Sequence, residues 1–134
     1  MKPVFQTKFG LGKGNCLQAC IASILEMEMD QVPNFADYNT KWYRELIRWC
    51  GENDIGAVYF PSEKPEESLI FNCHVILLME VIGYPEDHAV VGKVELEPSD
   101  KIWNWGAWVR HDPNPDPKRL GKVKGIIILF KVQP

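Results

Sequence analysis

The apolar residues of this chain change their spacing near Gly51, and that change restricts the folds open to it. Before that point Leu17, Cys20, Ile21, Ile24 and Leu25 recur at helical spacing, as do Trp42, Leu46, Trp49 and Cys50. After it the apolar residues gather in short runs such as Val75 to Met79 and Gly125 to Phe130, the length of strands. The first helix is expected to start at Asn15 or Cys16, with Asn15 as N-cap, and to fray before Val32-Pro33. The second is expected over Thr40 to Cys50, capped by Asn39 or Thr40 and stopped at Gly51. Strands are expected near 56–60, 74–82, 88–96, 102–110 and 125–132. Helices first and strands after, joined by short links, give an α+β chain with N-terminal helices packed on a largely antiparallel sheet.

A length of 134 residues suits one domain over 1–134, large enough to bury a core without disulfides or a structural metal. The net charge of −3 argues against a general nucleic-acid binder, and Lys118, Arg119, Lys122 and Lys124 read as a solvated face. No apolar run is long enough to cross a bilayer, and Met1 to Gln6 lacks the apolar core of a signal peptide. A cytoplasmic location with free thiols at Cys16, Cys20, Cys50 and Cys73 is the expectation. No P-loop or dinucleotide fingerprint calls for a nucleotide, and no cofactor is expected. The stretch 61–68, with two prolines and four charges, reads as a solvated loop.

Chemistry concentrates at Gly14-Asn15-Cys16-Leu17-Gln18-Ala19-Cys20. Cys16 stands where a glycine-rich lead-in (Gly10, Gly12, Gly14) becomes a helix, and the unpaired N–H groups and positive dipole end there favour a thiolate. Its own backbone N–H is a natural donor to an oxyanion. Of three histidines, His88 opens the apolar run Ala89-Val90-Val91 after a turn, so a strand can hold its ring facing a cleft. His74 has a less obvious turn before it, and His111 reads as solvated. Asp112, in Asp112-Pro113 after the next strand, can return beside His88 across adjacent antiparallel strands and orient the imidazole. Asp-Pro is also an ordinary turn, and Asn104 and Asp87 stand as substitutes.

Gly14-Asn15-Cys16, His88-Ala89-Val90-Val91 and Asp112-Pro113, in that order, resemble the compact papain-like cysteine peptidases. The C39-like group and its small bacterial or bacteriophage relatives are the nearest pattern. The interval from Cys16 to His88 is far shorter than the roughly 130–150 residues of full papain-type enzymes. The resemblance implies a papain-like fold and a Cys16-His88-Asp112 triad cleaving or transferring a peptide, isopeptide or side-chain amide bond. It further implies a glutamine upstream of the cysteine whose amide serves the oxyanion. Gln6 is the only upstream glutamine, at a longer gap than the pattern has, and a looped excursion over the intervening glycines would restore the geometry. Gln18 is a poorer match. The implied partner is a peptide or protein substrate, with no nucleic acid and no membrane. Attachment to an exporter, normal for leader peptidases of the group, is not expected, because the chain has no transporter segment.

Two other readings compete. A papain-like domain without activity would serve as a binding module or inhibitor, for instance between phage and host. A zinc site from Cys16, Cys20, Cys73 and His74 ranks lower, because the spacing is not a standard one. Cys20 itself fits the apolar stripe of the first helix. Trp103, Trp105 and Trp108 form the densest aromatic cluster, read as core rather than as groove, with Gly106 marking a bulge.

Overall fold

A computed structural model describes residues 1–10, 13–61, 73–96 and 105–132. Two helices, α1 (Cys16–Leu25) and α2 (Trp42–Glu52), precede five strands: β1 (Ile55–Phe60), β2 (Val75–Val81), β3 (Asp87–Leu96), β4 (Trp105–His111) and β5 (Leu120–Lys131). The strands form one sheet in the order β1-β5-β2-β3-β4, and every neighbouring pair is antiparallel. The class is therefore α+β, as the change of period implies.

Both faces of the sheet are apolar. Ile76, Ala89, Val91, Ile127 and Leu129 share one cluster with Ile21, Leu25, Leu46 and Cys50 of the helices. Val75, Leu77, Met79, Val90, Ile126 and Ile128 form a second cluster. Burial on both sides explains why β2 and β5 read as continuous apolar runs rather than alternating ones. Cys20 is fully buried in the first cluster, as its place in the stripe implies.

Several boundaries differ from the sequence reading, each for a local reason. Helix α1 ends at Leu25, well before Val32-Pro33, because Glu26 takes a left-handed conformation and its N–H bonds Ala22 O. Gln18 spans the following turn, its Nε2 donating to Met29 O at 2.9 Å and to Val32 O at 2.7 Å. Neither Asn39 nor Thr40 caps α2. Both lie in a 3-10 stretch over Phe35–Lys41, and Asn39, with φ 51°, makes the break before the helix. Nor does Gly51 stop α2. The helix runs through it to Glu52, and the chain turns at Asn53, whose side chain bonds Trp49 O, and at Asp54, which has φ 56°.

Strand β5 starts at Leu120 rather than 125: half-buried Val123 alternates with exposed Lys122 and Lys124, and a register shift between the Met79–Val123 and Val81–Leu120 pairs leaves Leu120 half-buried too. The expected bulge at Gly106 is instead a regular pair with Glu95, and the irregularity lies further along. Val91 faces His111 and Gly92 faces Val109, so β4 carries an extra residue at Arg110. Trp108 is 38% exposed rather than core. Trp103, Asn104, Gly12 and the stretch 62–68 lie outside the described residues. Lys118, Arg119, Lys122 and Lys124 are exposed, as a solvated face requires. No helix among the described residues is long and apolar enough to cross a membrane.

Candidate active site

Cys16 is the first residue of α1 and half-buried against the helix-side core. Asn15 before it is the N-cap by position, yet its side chain makes no cap bond. It turns backward instead: Oδ1 accepts from Thr7 N and Lys8 N, both at 2.9 Å, and Nδ2 donates to Thr7 Oγ1 at 3.0 Å. Asn15 N also donates to Lys8 O, and Lys13 N and Gly14 N donate to Gly10 O. The glycine-rich lead-in is thus a loop tied at its neck, where Gly10 has φ 101° and an L side chain would be strained. This spares the first N–H groups of α1 an internal side-chain cap.

The tied neck brings Gln6 to the site in spite of its separation in sequence. Gln6 is 7% exposed and lines the same cavity as Cys16 and His88, of about 480 Å³. Its Nε2 donates to Lys8 O at 3.1 Å, which fixes the amide and leaves one N–H free. Oε1 is buried and has no hydrogen-bond partner among the described residues. Such an acceptor carries a desolvation cost of about 1–3 kcal/mol unless water or a bound group reaches it.

Asp87 and His88 open β3, in antiparallel register with Glu80 and Met79 of β2. Past His111, the last residue of β4, the chain runs back beside the start of β3, so Asp112 arrives at His88. His88 Nε2 donates to Asp112 Oδ1 at 2.7 Å, and both side chains are 13% exposed. The same Oδ1 accepts from Asn114 N at 2.9 Å. Asp112 therefore serves its turn and the imidazole with one oxygen. With Nε2 given to Asp112, Nδ1 is the ring nitrogen left to bond the Cys16 thiol.

Burial opposes charge on His88, but hydrogen bonds to Asp112 and Cys16 and the attraction of both groups outweigh it and raise its pKa to about 9. The ring is an imidazolium at neutral pH. Cys20 and Cys50 are different: burial pushes the Cys20 thiol well above the usual range and Cys50 up to about 11. Cys73 is exposed, and all four cysteines are free.

His111 is not the solvated side chain the sequence suggests. Its Nε2 meets Val4 O at 2.8 Å and its ring stands edge-on to Phe5, with centroids 5.0 Å apart. One residue further, Gln6 N donates to Pro113 O at 2.8 Å. Residues 4–6 are thus strapped to the end of β4. Only the unassigned histidine beside Asp112 hinted at this in the sequence. Gln18, turned toward Met29 and Val32, takes no part. Asp87, the substitute for Asp112, faces Lys124 at 3.7 Å, and Asn104 lies outside the described residues.

The described residues contain no group of three or more Cys, His, Asp or Glu able to hold a metal ion, so Cys16, Cys20, Cys73 and His74 do not assemble into a zinc site. The cluster that does form brings together the Cys16 thiol, the His88 imidazole, the Asp112 carboxylate and the Gln6 amide. No family model, curated protein or solved structure matches this chain.

Proposed function

We propose that the protein is a papain-like, cysteine-dependent hydrolase or acyl-transfer enzyme acting on a peptide, isopeptide or side-chain amide bond. The observation that carries this reading is His88, held by Asp112 at 2.7 Å and lining one cavity with Cys16, which starts a helix. The proton of the Cys16–His88 pair rests on the His88 ring, and Asp112 steadies that imidazolium without itself accepting the proton. The Cys16 thiolate attacks the substrate carbonyl. The Cys16 backbone N–H and the free Nε2 hydrogen of Gln6 are the donors for the oxyanion that develops. His88 then protonates the departing amine, leaving an acyl thioester on Cys16. Water, or an acceptor amine, attacks that thioester with His88 as base, and the carbonyl re-forms as Cys16 leaves.

The test is iodoacetamide labelling against pH, mapped by mass to each cysteine. Cys20 and Cys50 are buried, and exposed Cys73 serves as the reference thiol. Labelling of Cys16 that outpaces Cys73 below pH 8, and is lost in His88→Ala, is the expected result. Labelling of Cys16 no faster than Cys73 at any pH overturns the enzyme reading in favour of a binding module.

A further inference from the structure

The cavity that Cys16 shares with Gln6 and His88 carries charge that the proposed chemistry does not use. Among the described residues its lining includes the carboxylates of Glu86, Asp87 and Asp116 and one lysine, Lys118. The register of the sheet adds a further carboxylate beside them. Glu80 stands directly opposite Asp87 where β2 pairs with β3, and like charges so placed repel. Lys124 faces Asp87 at 3.7 Å and Lys118 faces Asp116 at 3.6 Å. Both pairs are long and open to solvent, so each contributes little and yields readily to a better-placed cation. Phe9 and Tyr84 line the same cavity, each 51% exposed. Open aromatic rings beside carboxylates suit a cation, above all a guanidinium, which stacks on a ring while its N–H groups reach the acids.

The part of the substrate that meets this charge follows from the proton. In amide cleavage the imidazolium must reach the departing nitrogen, and His88 lines this cavity. The departing amine therefore lies here, as does an acceptor amine that takes the place of water. Gln6 Oε1, buried and with no hydrogen-bond partner among the described residues, belongs to the same wall. A backbone N–H of the amine-bearing chain is the kind of donor that oxygen lacks.

Resting on the hydrolase reading above, we infer that the amine side of the substrate is a basic polypeptide, with lysine or arginine within the two residues that follow the cleaved or formed bond. Its cation lies among Glu86, Asp87 and Asp116, against Phe9 or Tyr84. An acidic segment in that place would meet three carboxylates and be repelled.

The test reads the amine side alone by giving Cys16 a minimal acyl group. The Cys16 thiolate attacks the carbonyl of p-nitrophenyl acetate, the S–C bond forms, and p-nitrophenol departs with the His88 proton. An acceptor amine then attacks the thioester. Its proton passes to His88, the C–N bond forms, and the C–S bond breaks to return the thiolate. Ala-Arg amide competes with Ala-Gln amide, and Arg-Ala amide with Gln-Ala amide, and the acetylated products are counted by mass. Cys16→Ala gives the uncatalysed ratio for each pair. The expected result is transfer to one arginine amide over its glutamine counterpart by about fivefold or more at low salt, falling as salt screens the carboxylates. In Glu86→Gln that ratio narrows, and being taken within one protein it is insensitive to a general loss of reactivity. Arginine and glutamine amides within about twofold of each other at low salt overturn the charge assignment and leave the hydrolase reading standing. Cys16-dependent release of p-nitrophenol with no transfer to any amide does the same. Release no faster than in Cys16→Ala overturns the hydrolase reading and this inference together.

Discussion

Gln6 N donates to Pro113 O at 2.8 Å, joining the segment that carries Gln6 to the turn that carries Asp112. These residues are far apart in the chain, and the bond makes the two ends of the site one mechanical unit. The N-terminal segment is fixed on its other side by α1, through Lys2 N to Ser23 O and Val4 N to Ser23 Oγ. It bridges the helix bearing Cys16 and the strand end that brings Asp112 to His88.

Removing the proposed nucleophile separates chemistry from folding. Cys16 is half-buried at a helix start, so Cys16→Ala deletes one sulfur without opening a deep cavity. Turnover is expected to vanish while stability changes by about 1 kcal/mol or less. Urea unfolding beside an amide-cleavage assay checks both. Full retained turnover removes Cys16 as nucleophile.

Replacing Asp112 with asparagine isolates its charge, because Asn retains an oxygen for Asn114 N. The His88 pKa is raised to about 9 by Asp112 and Cys16 against the opposing effect of burial. In Asp112→Asn it is expected to fall toward its ordinary value of roughly 6.5. An NMR titration of the His88 ring reads this directly. A midpoint still near that of the parent protein assigns the shift to Cys16 alone.

The same shift makes stability depend on pH with a definite sign. Folding raises the His88 pKa, so the folded state binds the proton more tightly than the unfolded chain. The added stability is complete below about pH 6.5, declines between there and pH 9, and is absent above. The decline is expected to be of order 1–3 kcal/mol. Unfolding free energies for the parent and His88→Ala across that window provide the check, and equal slopes in the two proteins dismiss His88 as the source.

Much of this arrangement is visible in the chain, and the rest is hidden for physical reasons. Period alone separates helices from strands, and a cysteine at a helix start with a histidine at a strand start survives as a spatial pair. The orientation of Asn15 is not legible, because N-cap chemistry and loop closure use the same side chain. The end of α2 is obscured because Gly51 is tolerated inside a helix whose turn is completed by Asn53 and Asp54. The sequence gap between Gln6 and Cys16 reflects a tied loop, which spacing cannot distinguish from a true separation. The ring pair of Trp42 and Tyr59 is not legible either, because the two meet only when α2 packs on β1.

His111 is expected to act on turnover through Gln6. Its bond to Val4 O holds the segment two residues ahead of Gln6, while its ring packs on Phe5 and makes no contact with Cys16 or His88 among the described bonds. In His111→Ala the segment loosens, and the amide facing the oxyanion loses its fixed position. Loss of one oxyanion donor costs about 10²–10³ in kcat, which sets the scale for Gln6→Ala. His111→Ala should reproduce part of that loss, with kcat falling more than KM rises, because the oxyanion forms only after substrate binds. The double variant with Gln6→Ala should be little worse than Gln6→Ala alone, since His111 then has no donor left to position. Additive losses in that cycle would mean that His111 supports the fold of the site as a whole and not the amide of Gln6.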